Sequence, residues 1–320
     1  MGVRHPRFPK AGRAEQKKQG IRSFENLRIQ LSLFSLGECF RAAAGVRVAA
    51  HVSLSFSFST SGLNDMKMMN RILLSLGVAV LACQGVLAQS KELVVGSSAT
   101  YRPFAYEKPS KEIVGYDVDI IKAVAQKAGL QIKIVNTPWT GIFAALNNGD
   151  VDLVISGVTI NEKRKQSYDF TAPYFEARQL IGTHKDSTAK GLKDLAGKKV
   201  GVVTGSTGDD IASREFGKTS PDIKRFESTP VAISELANSG VDAVIGDNGV
   251  IAYRVQEHKQ LKTVSNPNFP KEYFGIVVKQ GNKALLDKLN AGLAAIKADG
   301  TYAKIYKTWF QAEAPALPAQ

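Results

Sequence analysis

Cysteine is nearly absent from this chain. Only two of its 320 residues are Cys, Cys39 and Cys83, and neither lies beyond residue 88. That excludes a disulfide framework and a thiolate metal site from everything that follows. Histidine is scarce too. His5, His51, His184 and His258 are scattered, and no two stand four residues apart. An imidazole zinc site or a Cys/His nucleophile thus has no basis in the sequence, and no cofactor is expected. A membrane-spanning run is missing as well: the apolar stretch 72–82 is eleven residues long, where a crossing helix needs about 20.

Positive charge is in excess, with a formal net charge of +13. Its placement matters more than its size. Residues 1–65 hold ten Lys/Arg against four Asp/Glu, and Lys67 and Arg71 add two more. Residues 89–320 hold thirty against twenty-five. The later charges are mixed in sign along predicted helices, which is ordinary solvated surface. A nucleic-acid partner would want a clustered basic face, so none is expected.

Residues 66–88 have the three-part plan of a secretory signal peptide. Met66-Lys67-Met68-Met69-Asn70-Arg71 is a short basic start, residues 72–82 are apolar, and Val86-Leu87-Ala88 places small residues at −3 and −1 to a cut before Gln89. A periplasmic, secreted protein is the expectation. Val80-Leu81-Ala82-Cys83 also resembles a weak lipoprotein processing box, the alternative being a lipid anchor at Cys83. Residues 1–65 show no clean periodicity and no domain pattern. They read as an over-extended start, with the true start at Met66, Met68 or Met69, or else as a genuine extra segment.

After Gln89 strands and helices alternate, which argues for α/β lobes. Strands are expected at 93–96, 131–135, 151–156, 198–203 and 241–245. Helices are expected at 120–128 (stopped by Gly129), 140–147, from Asp209, 283–298 and 302–310. Two stretches, 145–157 and 236–247, are near copies: a helix end, a Gly stop, and a short apolar strand after Val151-Asp152 or Val241-Asp242. About 90 residues separate them, too far for a solenoid period. One α/β unit used in each of two lobes fits better, two unrelated turns being the alternative. Ligands of open α/β sheets sit beyond the carboxyl ends of strands, so residues 156–159 and 246–247 should face each other across a cleft. Crossings between lobes are expected near 176–180 and 268–274. Lobe 1 is then 91–177 plus 272–311, lobe 2 is 178–271, and 312–320 is a tail.

The matching text is Tyr101-Arg102-Pro103-Phe104, Gly115-Tyr116-Asp117-Val118-Asp119, Trp139-Thr140-Gly141-Ile142, residues 152–157, Thr159-Ile160-Asn161-Glu162-Lys163-Arg164, Tyr168-Asp169-Phe170-Thr171-Ala172-Pro173-Tyr174, and a close running from Gly300-Thr301-Tyr302 to Trp309-Phe310. As an ordered set, these residues resemble the family-3 extracellular solute-binding proteins of polar amino-acid ABC importers, across residues 92–311. The resemblance implies a two-lobed periplasmic-binding (Venus flytrap) architecture, each lobe an α/β sheet flanked by helices, joined by two hinge crossings. It also implies a polar amino acid as cargo, membrane permease subunits as partners, and a monomer.

Site residues follow from the resemblance. Arg164 matches the arginine that grips the ligand α-carboxylate, for which a guanidinium fork is suited. From the residues alone it could be a surface charge in Lys163-Arg164-Lys165. Asp247 matches the carboxylate that takes the α-ammonium, or is a turn residue in Gly246-Asp247-Asn248-Gly249. Thr159 offers a hydroxyl and an N–H, and Gly157 a carbonyl for the ammonium. Thr207 offers an N–H and a hydroxyl to the carboxylate, or caps a helix. Tyr101 and Trp139 match aromatic walls, or pack in the core. Relatives that bind cationic or amide side chains often carry an acid where this chain has Ser98, which leans the reading to an uncharged polar amino acid. Arg102 lies beside the pocket in sequence and reads as facing solvent, the alternative being that it favours an acidic ligand side chain. No catalytic residue is expected. The competing readings are a cyclohexadienyl-dehydratase-like enzyme on the same scaffold and a soluble co-receptor for signalling.

Overall fold

The computed structural model describes residues 91–318. The expected signal peptide, the segment before it and the processing box at Cys83 lie outside the described residues. The strands, in chain order, are β1 (Leu93–Ser97), β2 (Thr100–Tyr101), β3 (Ala105–Glu107), β4 (Ile113–Val114), β5 (Ile132–Asn136), β6 (Leu153–Val154), β7 (Tyr168–Phe170), β8 (Phe175–His184), β9 (Val200–Val203), β10 (Ile223–Phe226), β11 (Ala243–Asp247), β12 (Leu261–Val264), β13 (Lys271–Phe274) and β14 (Val277–Lys279). The helices are α1 (Tyr116–Ala128), α2 (Ile142–Asn148), α3 (Glu162–Lys165), α4 (Thr207–Phe216), α5 (Thr229–Ala237), α6 (Asn248–Gln256), α7 (Lys283–Ala298) and α8 (Thr301–Phe310).

Two sheets make two lobes. The first has the order β5-β1-β6-β14-β7, with β1 parallel to β5 and β6, and β14 antiparallel to β6 and β7. The second has the order β10-β9-β11-β8-β12, with β9 parallel to β10 and β11, and β8 antiparallel to β11 and β12. Each sheet has an apolar cluster on either face. In the first lobe Val95, Leu153 and Ile155 face one cluster and Val154 and Val277 the other. In the second, Val200, Val202 and Ile245 face one and Val241 and Val244 the other. Strands apolar on both faces are what parallel pairing with helices on each side requires.

The ten-residue β8 joins the lobes. Its second half lies in the second sheet, while its first half pairs with β13 in the register Phe175↔Phe274 to Arg178↔Lys271. Main-chain hydrogen bonds tie these two crossings into one antiparallel ribbon, so a bend in either strand is shared by the other.

Several element bounds differ from the sequence reading. Helix α1 begins at Tyr116, four residues early, because the Asp117 N–H donates to the Phe104 carbonyl and the Asp119 N–H to that of Gly115. Asp117 and Asp119 thus sit in its first turn, where acids suit the helix dipole. Gly129, in the left-handed region at φ 64°, ends it as expected. The strand expected over 151–156 is shorter, Leu153–Val154, with main-chain hydrogen bonds to β1 from Asp152 and Ile155 at its ends. Helix α4 begins at Thr207, with Ser206 rather than Thr207 as cap: its hydroxyl accepts from the Asp209 N–H.

Helices α1 and α7 pack closely in the first lobe. A Cβ on Gly292 of α7 would lie 2.5 Å from the Val124 carbonyl oxygen of α1. Helix propensity alone favours Ala there by about 1 kcal/mol, but overpacking against backbone costs about 1–3 kcal/mol. Gly292→Ala is expected to lower stability in a urea titration; an unchanged or raised midpoint would show that the two helices can separate freely.

Candidate functional site

The carboxyl ends of β1, β6, β9 and β11 open on one cleft of about 570 Å³, counting space open to solvent. All eight candidate residues, Ser98, Tyr101, Trp139, Gly157, Thr159, Arg164, Thr207 and Asp247, line it. Arg102 does not: its guanidinium stacks over Tyr106, 3.8 Å from the ring centroid, and donates from Nη1 to the Tyr253 hydroxyl at 3.2 Å. Arg102 is half-buried, and the contact with Tyr253, 151 residues away, leaves no local mark in the sequence.

Arg164 comes from α3, which Asn161 caps by accepting from the Arg164 N–H at 2.8 Å. Its Nη1 donates to the Thr159 carbonyl at 2.9 Å, and its Nη2 to the Gly205 carbonyl of the second lobe at 3.3 Å. The group lies over Trp139 and Phe143, 5.4 and 5.7 Å from the ring centroids. Burial lowers its pKa from the usual guanidinium value, and Asp247, Asp210 and Glu272 oppose that shift. Two carbonyls and two rings therefore aim a fixed cation into the cleft.

Asp247 ends β11 in the second lobe. It accepts from the Tyr101 hydroxyl of the first lobe, and its Oδ1 accepts from Gln179 Nε2 at 2.7 Å. Burial, and then the charge of Glu272, push its carboxyl up to about 7, while Tyr101, Gln179 and Arg164 pull the other way. Burial and the Asp247 charge in turn raise the Tyr101 phenol well above its ordinary value.

The floor depends on Gly157, which stands at φ 57°. A Cβ there would come within 2.5 Å of Tyr101 Cε1, so glycine both permits the backbone turn and lets the tyrosine lie against it. The Gly157 N–H donates to Asp117 Oδ2 at 2.8 Å. Asp117 is fully buried, and burial raises its carboxyl to about 7. The lobes touch elsewhere across the cleft: Trp139 Nε1 donates to the Thr204 carbonyl at 3.0 Å, and Arg254 Nη2 to that of Thr100 at 3.3 Å.

Three residues of this network were not singled out as site residues from the sequence. Asp117 lies within a quoted motif, but its reach to Gly157 spans 40 residues. Gln179 occupies an inward position of β8, on the same face as buried Phe175, Ala177 and Ile181. A polar residue breaking such an alternation was the available signal. Glu272, 8% exposed, accepts at Oε2 from Thr159 Oγ1 and Thr207 Oγ1, each at 2.9 Å, and from Gln179 Nε2 at 3.3 Å. The Thr207 hydroxyl hydrogen, expected to serve a ligand carboxylate, is thus committed to Glu272, which leaves its N–H for that task.

The described residues hold no cluster of His, Cys, Asp or Glu able to bind a metal ion, and no helix among them is long and apolar enough to cross a membrane. The arrangement presents a cation and a carboxylate in one half-enclosed cleft with aromatic walls.

Residues 93–312 match the family model described as bacterial extracellular solute-binding proteins, family 3. The chain is 41% identical over 222 residues to the "Probable histidine-binding protein" of Neisseria gonorrhoeae, covering 68% of this chain and 83% of that protein. It is 35% identical over 227 residues to "ABC transporter arginine-binding protein 1" of Escherichia coli K12, covering 69% and 91%. Among solved structures it resembles the arginine-, lysine-, histidine-binding protein ArtJ of Geobacillus stearothermophilus. That match has a TM-score of 0.67 and 44% identity, and covers 70% of this chain and 96% of that one.

Proposed function

The chain belongs to the bacterial extracellular solute-binding proteins, family 3, and from that premise we propose how it works as the amino-acid-binding component of an ABC importer. It captures one polar amino acid in the cleft, in the periplasm, and hands it to permease subunits in the membrane as a single chain. The observation that carries the reading is that Arg164 of the first lobe and Asp247 of the second open on the same cleft. A zwitterion offers each pole its opposite charge. Arg164 takes the α-carboxylate as a fork, with the N–H groups of Thr159 and Thr207 beside it. Asp247 and the Gly157 carbonyl take the α-ammonium, Tyr101 and Trp139 flank the side chain, and Ser98 lies at its edge.

The lobes, taken as 91–177 with 272–311 and as 178–271, close by bending the β8–β13 ribbon. A ligand that touches both favours the closed form by its differential affinity. No covalent step is involved. Relatives named for histidine and arginine set a cationic side chain against the neutral Ser98, so the cargo is to be read by screening.

A thermal-shift screen of the purified protein against the twenty amino acids, prephenate and arogenate tests this. A ligand that binds only the folded form raises the melting temperature as RT ln(1 + [L]/Kd), about 2.7 kcal/mol of stabilisation at one hundred times Kd. One or a few amino acids should give a large shift. A shift with prephenate or arogenate alone would replace the transport reading with the enzyme reading.

A further inference from the structure

Glu272 does not line the cleft, yet every polar side chain that contacts its Oε2 does. The three donors come from different parts of the fold. Thr159 follows β6 in the first lobe, Gln179 lies in the crossing strand β8, and Thr207 opens α4 in the second lobe. Glu272 itself lies in the other crossing strand, β13, opposite Ala177.

Oε2 accepts from both threonines, and a hydroxyl has one hydrogen to give. Each of them therefore turns that hydrogen inward, at 2.9 Å for both Thr159 and Thr207. Thr207 Oγ1 also accepts from Gln179 Nε2 at 2.9 Å. The two hydrogens of that amide nitrogen are shared among this oxygen, Asp247 Oδ1 at 2.7 Å and Glu272 Oε2 at 3.3 Å. A flipped amide would set its oxygen against both carboxylates, so its orientation is fixed too. What remains on these hydroxyls for the cleft is oxygen lone pairs. Beside Asp247 the floor is an array of acceptors: it receives a donor and repels a carboxylate oxygen.

We infer that Glu272 is a positioning residue that sets the hydrogen-bond polarity of the cleft floor and thereby fixes which end of a bound amino acid faces Asp247. The inference rests on the amino-acid-binding reading and deepens it. Glu272 does not touch the cargo; it decides that the threonine hydroxyls accept rather than donate. The ammonium is drawn to the floor, and the carboxylate is left to Arg164 and the main-chain N–H groups.

Glu272→Met in the full chain tests this. It removes the acceptor that Thr159, Thr207 and Gln179 share, so the threonine hydroxyls are free to point their hydrogens into the cleft. The probes are the amino acid, of the twenty, that raises the melting temperature most, and its α-hydroxy acid, which lacks the ammonium. Titration calorimetry should show the amino acid weakened by about tenfold or more and the hydroxy acid by threefold or less, so the preference between them narrows. Thr159→Val, which removes the hydroxyl without touching Glu272, should narrow the same ratio, and it carries the test if Glu272→Met does not fold. A purely structural role would weaken both probes alike. An unchanged ratio in a folded variant overturns the inference. Arg164→Ala separates the two levels. If it loses binding while the ratio in the other variants stays fixed, only the role of Glu272 fails. If it binds as the parent does, or if none of the twenty amino acids binds, the reading of the site falls and takes this inference with it.

Discussion

An Arg164→Ala protein is expected to keep its fold and to lose amino-acid binding by on the order of 10²–10³-fold. Arg164 makes no ion pair among the described residues; its partners are the carbonyls of Thr159 and Gly205 and the rings of Trp139 and Phe143. Removing it therefore leaves no buried carboxylate of the protein orphaned, and the melting temperature of the free protein should move little. The ligand suffers more. A carboxylate drawn into a half-enclosed cleft without its counter-charge costs about 2–5 kcal/mol, and the bond to Gly205 that holds the second lobe is lost with it. Arg164→Lys should recover only part of this, because an ammonium is a point charge without the planar fork. Calorimetry with the amino acid found by screening decides the matter. Binding within threefold of the parent would remove Arg164 from the site.

Acidification is expected to act with opposite signs on stability and on binding. Burial holds both Asp117 and Asp247 up to about 7, against 3.8 for a free Asp side chain. A carboxyl raised on folding favours the fold where it is protonated. Its contribution is full below the unfolded value and is lost as pH rises through about 7. The unliganded protein should thus melt higher at pH 5.5 than at pH 8 from these two groups. Asp299, which Lys127 holds below the ordinary carboxylate range, has the reverse sign, but its contribution is lost only as pH falls below the unfolded value, outside that window.

Binding runs the other way. An α-ammonium beside Asp247 favours its charged form, so at pH below about 7 the proton must leave before the ammonium can enter. Affinity should fall by up to about tenfold per pH unit in that range. Asp247→Asn should bind weakly at every pH and abolish the slope. Affinity measured from pH 5.5 to 8.5 in both proteins checks this. A slope that persists in the variant would assign the proton to another group, such as Asp117, which faces Gly157.

Much of this molecule was legible along the chain. The α/β class followed from alternation, and the duplicated helix–Gly–strand text at 145–157 and 236–247 marked the two strand ends that meet at the cleft. Local rules carried these readings, since a helix stop at Gly129 or a short apolar strand needs only its neighbours. Element starts were less legible. Tyr116 and Thr207 begin helices because distant carbonyls and a neighbouring serine satisfy their first turns, which apolar periodicity does not record. Gln179 left a faint mark as a polar residue in an apolar alternation, and Glu272 left none.

The sequence by itself determined the two α/β units, the lack of any cysteine after residue 88, and, through its ordered motifs, eight of the residues that line the cleft. Tertiary structure decided the charge state and polarity of that cleft. The raised carboxyls of Asp117 and Asp247 arise from burial by elements far away in the chain. The direction of the Thr159 and Thr207 hydroxyls depends on a carboxylate delivered by the second hinge strand, 113 and 65 residues away. Desolvation and hydrogen-bond direction are set by what surrounds a group in space, and no local pattern encodes that.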